Sequence, residues 1–114
     1  MNRDNYYAEY YLWVDDKGVP RIYSGYEDVK TAEYEANEGR PNHSEILEQV
    51  SDMMEEDGFK GIDEGNHQHE PKIVYTLAIR DINWGDFETA YLQRHRKLQI
   101  EYDVPAGQLI KEPA

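Results

Sequence analysis

Cysteine is absent from the 114 residues, which removes disulfides, thiol nucleophiles and the sulfur ligands of zinc and iron–sulfur sites together. A reducing compartment suits such a chain. No apolar run approaches the roughly 18 residues a membrane-spanning helix needs. Met1-Asn2-Arg3-Asp4-Asn5 is too polar to open a secretory signal, so a cytoplasmic location is expected. Serine is scarce: Ser24, Ser44 and Ser51 are the whole supply, and none sits in a nucleophile-elbow setting. A phosphate-cradling glycine loop and a dinucleotide fingerprint are both missing. Carboxylates are so numerous that two near each other carry no information about acid–base work. The chain is expected to be no enzyme and to hold no cofactor.

Basic residues are the other shortage. Twelve Lys and Arg face 24 Asp and Glu, for a formal charge of −12. Such a chain is repelled by nucleic acid and anionic lipid and attracted to basic surfaces. The imbalance is placed: residues 1–70 hold 18 acids and six bases, whereas residues 71–114 hold six of each. At this length one domain is expected, ordered over 5–105 with a frayed tail at 106–114. Hydrophobic residues at 39%, with ten Tyr, two Trp and two Phe, suffice for a core because each large ring buries much apolar area.

Aromatic and β-branched residues over Tyr6 to Val14 predict a strand. Asp15-Asp16-Lys17-Gly18 supplies turn chemistry, and Val19 to Tyr23 predicts the return strand of a hairpin. Pro20 has no N–H for a ladder, so that strand belongs at an edge or begins there. Glu, Ala and Lys then predict a helix from Glu27 to Glu38, stopped by Gly39 and Pro41. A second helix starts from a cap at Asn42 or Ser44 and carries Ile46, Leu47, Val50, Met53 and Met54 at helical spacing before Gly58. Residues 58–71 predict a loop. Two-sided alternation over Lys72 to Ile82 predicts a central strand. The segment from Phe87 to Arg96 fits a short helix or a hairpin strand, and Leu98, Ile100, Tyr102 and Val104 alternate as a last strand. The fold class is α+β: an antiparallel sheet made of the N-terminal β-hairpin and C-terminal strands, with two helices packed on one face.

On the second helix Glu45, Glu48, Asp52, Glu55 and Glu56 recur at spacings of three and four, opposite the apolar stripe. Neighbouring carboxylates then stand roughly 5–6 Å apart along the axis. Glu27, Asp28, Glu33, Glu35, Glu38 and Asp57 flank them, and residues 27–64 hold 13 acids against Lys30, Arg40 and Lys60. A face merely solvated by charge is the bland alternative. Against it, like charges at these spacings repel by a few tenths of a kcal/mol per pair, and almost no base is interleaved. A basic partner would relieve that repulsion. In size, charge and Tyr-rich acidity the chain resembles the small acidic proteins that mimic nucleic acid, among them anti-restriction and anti-CRISPR inhibitors and some toxin-immunity proteins. The resemblance implies an inhibitor that occludes a basic, nucleic-acid-binding surface of a partner protein, with no direct contact to nucleic acid or membrane. The alternative is an accessory or structural module whose acidity serves solubility.

Three lesser constellations remain. Tyr7, Tyr11 and Trp13 share the hairpin face opposite Tyr6 and Tyr10, where they are either cross-strand partners or a contact face for a homodimer. His67, His69 and Glu70 offer N and O ligands to a divalent metal, but in a glycine-rich stretch with nothing to fix their geometry. Arg94-His95-Arg96-Lys97 is the one basic cluster, suited to offsetting the acidic region or solvating a turn.

Overall fold

A computed structural model describes residues 3–15, 17–29, 43–59 and 70–105. Three strands form one antiparallel sheet: β1 (Arg3–Val14), β2 (Pro20–Val29) and β3 (Lys72–Asn83), in the order β2-β1-β3. Among the described residues two helices accompany it, α1 (His43–Glu56) and α2 (Trp84–Glu101). The class is α+β, as expected, but the helices lie on opposite faces of the sheet instead of sharing one. Ile46, Val50 and Met54 of α1 pack on Tyr11, Trp13 and Tyr23. Phe87 and Leu98 of α2, with Val104 beyond it, pack on Tyr6, Ala8, Tyr10 and Ile22. Successive side chains of a strand alternate faces, so β1 supplies even-numbered residues to one core and odd-numbered residues to the other.

That arrangement makes β1 the central strand and puts β3 at an edge, correcting the expectation for Lys72 to Ile82. Ile73, Thr76, Ala78 and Arg80 are exposed, so the second apolar face of β3 has no helix over it among the described residues. The hairpin turn is as expected. Asp15 accepts from the backbone N–H of Lys17 and Val19 (both 2.9 Å) and from Arg21 Nε (3.2 Å), and Gly18 takes a φ of +79°. Burial alone would raise the Asp15 pKa, but these donors together hold it below the ordinary aspartate value.

β2 runs on to Val29, through Glu27 and Asp28, where helix formers predict a helix. Cross-strand pairing with Asn5 to Tyr7 outweighs a propensity worth only tenths of a kcal/mol per residue. The rest of that predicted helix lies outside the described residues.

α1 opens at His43, ahead of Ser44, and Asn42 lies outside the described residues. The helix closes on a left-handed glycine, Gly58 at φ +90°, where Gly58 N–H donates to Glu55 O and Phe59 N–H to Met54 O (3.0 and 2.9 Å).

α2 is capped by Asn83, whose side chain accepts from Asp86 N–H at 2.8 Å. It absorbs the ambiguous segment and the first residues of the strand expected at 98–104, whose remainder follows the end of the helix at Glu101. Leu98 and Gln99 are buried while Ile100 is 59% exposed, a helical pattern that mimics alternation over four residues. Its C-terminal signal is disguised too. Asp103, not glycine, takes the left-handed position at φ 58°, and Val104 N–H returns to Gln99 O at 2.9 Å.

α1 approaches β2 closely at Gly25. A Cβ there would meet Gln49 Oε1 and Ile46 Cγ2 at 3.0 Å and the Ile46 carbonyl at 3.1 Å. The Gln49 amide uses this approach to pair with the outer edge of β2: it accepts from Tyr26 N–H (3.1 Å) and donates to Tyr26 O (2.7 Å). Gly25→Ala is therefore expected to push α1 outward and cost about 1–3 kcal/mol. Urea unfolding checks this, the midpoint falling at unchanged slope.

Candidate interaction surface

The carboxylates of α1 follow from its period. With Ile46, Val50 and Met54 buried, Glu45, Glu48, Asp52, Glu55 and Glu56 stand on the solvent face, all exposed, and Asp57 just beyond the helix is exposed as well. No Lys or Arg occurs between His43 and Asp57. Glu55 and Glu56 occupy the last turn, where the helix dipole already carries about half a negative charge and acids are unfavourable by roughly 0.3–1 kcal/mol each. A surface under selection for stability alone places bases there.

The remaining predicted contacts disperse. Asp57 is committed to the fold, accepting from the Tyr23 hydroxyl at 2.8 Å with Arg21 Nη1 at 3.6 Å. Arg21 also lies over the Phe59 ring, 4.6 Å from its centroid. Glu27 and Asp28, adjacent on β2, point to opposite faces: Glu27 to the α1 side and Asp28 to the α2 side, across from Tyr6. Glu33, Glu35 and Glu38 lie outside the described residues, as do His67 and His69 of the metal candidate; Glu70 is exposed.

Tyr11 and Trp13 are corrected as a contact face. Both are 3% exposed beneath α1, because the odd-numbered face of β1 has a helix of its own. Tyr7 is partly buried there. The same face holds a group that sequence reading passes over, Glu9, which is fully buried. Its carboxylate accepts from the hydroxyls of Tyr7 (2.9 Å) and Tyr11 (2.7 Å) and pairs with His43 Nδ1 at the start of α1. Burial first, then donation to Glu9, pushes both tyrosine pKa values well up. Tyrosines two apart on each side of one glutamate in a strand are the signal that could have marked it.

The basic cluster is divided by helical spacing. Arg94 lies over the Tyr75 ring at 4.2 Å, Lys97 is exposed, and His95 is 1% exposed in the core. Ser24 Oγ stands 2.6 Å from His95 Nδ1 and 2.7 Å from the Tyr91 hydroxyl. Burial holds the His95 pKa down at about 4, opposed only in part by the Ile22 carbonyl. Serine beside histidine has the composition of a nucleophile and base, yet both are sealed in the core, and His95 Nε2 has no hydrogen-bond partner among the described residues. The geometry fastens α2 to β2.

Among the described residues no group of His, Asp and Glu is arranged to hold a metal ion, and no helix is long and apolar enough to cross a membrane. No protein-family model, curated protein or solved structure matches the chain.

Proposed function

We propose that the chain is an interaction protein that binds a basic, nucleic-acid-binding surface of a partner protein and occludes it. The observation that carries this reading is the solvent face of α1: five exposed carboxylates in 14 residues, without a single Lys or Arg, persisting into the last turn. Each neighbouring pair costs stability in the free protein. A partner's Lys and Arg side chains turn that cost into complementarity, which speeds encounter and excludes neutral competitors. The roughly 5–6 Å interval of the row is a loose match to nucleic-acid phosphates, spaced about 3.4 Å per strand along the axis. Exposed acids on one sheet face, with mixed charges on α2 behind the other, make the molecule electrostatically two-ended.

Immobilised protein is expected to capture nucleic-acid-binding proteins from cell extract, and both duplex DNA and rising salt should release them. Reversing Glu45, Glu48, Asp52 and Glu55 to Lys should weaken capture by about tenfold or more. These side chains are exposed, so the variant's helical circular dichroism should be retained. Capture unaffected by salt, or equal capture by the folded quadruple variant, rules the reading out.

A further inference from the structure

The two helices are held to the sheet by different chemistry. Of the four buried residues of α1, three are apolar, Ile46, Val50 and Met54, and one is Ser51. Of the four on α2, two are polar, His95 and Gln99. The apolar pair, Phe87 and Leu98, stands about three turns apart, and between them His95 is the buried contact to β2. Its Nδ1 lies 2.6 Å from Ser24 Oγ, and the Tyr91 hydroxyl lies 2.7 Å from the same oxygen. We propose that this Ser24–His95–Tyr91 cluster is an acid-sensitive latch: a proton on His95 opens α2 away from the sheet while α1 and the three strands stay in place.

Among the described residues no group facing the imidazole carries a negative charge. β2 contributes the Ser24 hydroxyl and the Ile22 carbonyl, β1 the Tyr10 ring at 6.2 Å between centroids, and α2 itself Tyr91, one turn earlier. β3 reaches the cluster through Tyr75, 5.9 Å from Tyr10, and Arg94 lies over that ring as a cation. Burial pushes the Tyr10 and Tyr91 hydroxyls up, so neither becomes an anion in the acid range. An imidazolium donates from both nitrogens, yet Nε2 has no hydrogen-bond partner. The added proton therefore brings into the core a charge that the Ile22 carbonyl offsets only in part.

Two features confine the opening to this side. α2 follows β3, so it can leave without breaking a pairing in the order β2-β1-β3. The alternation of β1 also keeps the cores apart, with Tyr6, Ala8 and Tyr10 under α2 and Tyr11 and Trp13 under α1. On the α1 face His43 is paired with the Glu9 carboxylate, so a proton there meets an opposite charge and strengthens the contact.

Native-state hydrogen exchange of the full chain at about pH 7 and pH 5, corrected for intrinsic exchange rates, reads the opening of each helix separately. With the His95 pKa at about 4 in the fold and near ~6.5 once exposed, amide protection from Tyr91 to Leu98 is expected to fall about twentyfold between these pH values. Protection from Ile46 to Met54 should change less than about threefold, since no proton is taken up into that core. His95→Gln, neutral throughout, should abolish the α2 loss. The comparison of the two helices needs the wild-type protein alone and stands whether or not the variant folds. An equal fall in both helices overturns the latch and leaves the acid sensitivity of the whole fold intact. Unchanged protection in α2, or the same fall in a folded His95→Gln variant, overturns it outright.

Discussion

Glu9→Ala is expected to be the most damaging single truncation in the chain, costing about 2–5 kcal/mol, since it takes the acceptor from two tyrosine hydroxyls at about 1–3 kcal/mol for each one left buried and unsatisfied. A domain of this kind is stable by only about 5–15 kcal/mol, so the variant should be partly unfolded at room temperature or unfold in far less urea. The cost arises from what is left behind. Tyr7 and Tyr11 hydroxyls both donate to Glu9, and without it Tyr11, 3% exposed, has no route to water. His43, with a side chain 57% exposed, recovers hydration and adds little. Glu9→Gln keeps the volume and one acceptor oxygen and should lose less, about 1–3 kcal/mol. The sharper control removes donors and acceptor together: Glu9→Leu with Tyr7→Phe and Tyr11→Phe should regain much of the loss, because matched apolar groups leave no polar atom stranded. Wild-type stability in Glu9→Ala would show that the carboxylate is not the centre of this face.

The contrast between β1 and β3 shows how much of this fold the sequence carries. Both strands have two apolar faces by pattern, and pattern alone ranked β3 as central. What decides is the partner of each second face, and among the described residues helices supply it only for β1. Once α1 covers the odd-numbered residues of β1, Tyr11 and Trp13 become core, so one missing fact about helix placement reversed the reading of both. Local signals fared better. The hairpin at Asp15 to Gly18, the apolar stripe of α1 and its stop at Gly58 depend on contacts within a few residues, and they lie where their chemistry points. The end of α2 shows the limit of such signals, because Asp103 takes a backbone conformation that glycine normally announces.

The candidate surfaces divide in the same way. The α1 row is legible because a helix converts sequence spacing directly into a line of charge. The Glu9 site is not, since His43 reaches Glu9 only through the packing of α1 on β1, 34 residues along the chain. Ser24 and His95, 71 residues apart, are equally invisible, and His95 read as one member of a basic tetrapeptide until helical spacing turned it inward.

That inward turn gives the chain a pH dependence with a defined sign. His95 is neutral in the fold, its pKa held at about 4 by burial, whereas in the unfolded chain it titrates near the ordinary value of ~6.5. Between these values the unfolded state binds the extra proton, so stability is full above about pH 6.5, falls as pH drops toward 4 and is level below that, with a total loss of about 3 kcal/mol. Asp15 acts in a lower window: its folded pKa is depressed, so its contribution is complete above the ordinary aspartate value of ~3.9 and is lost below it. Protonation of the excess carboxylates relieves self-repulsion and opposes both trends, which makes the wild-type profile alone ambiguous. His95→Phe separates the contributions. The ring fills similar space, Ser24 keeps its bond to the Tyr91 hydroxyl at 2.7 Å, and the unpartnered Nε2 is removed. Urea midpoints measured from about pH 7 to 5 should fall more steeply for wild type than for the variant, by roughly 1.4 kcal/mol per pH unit at most for one proton. Parallel profiles would mean that His95 reaches a proton acceptor in the fold and is not held neutral by the core.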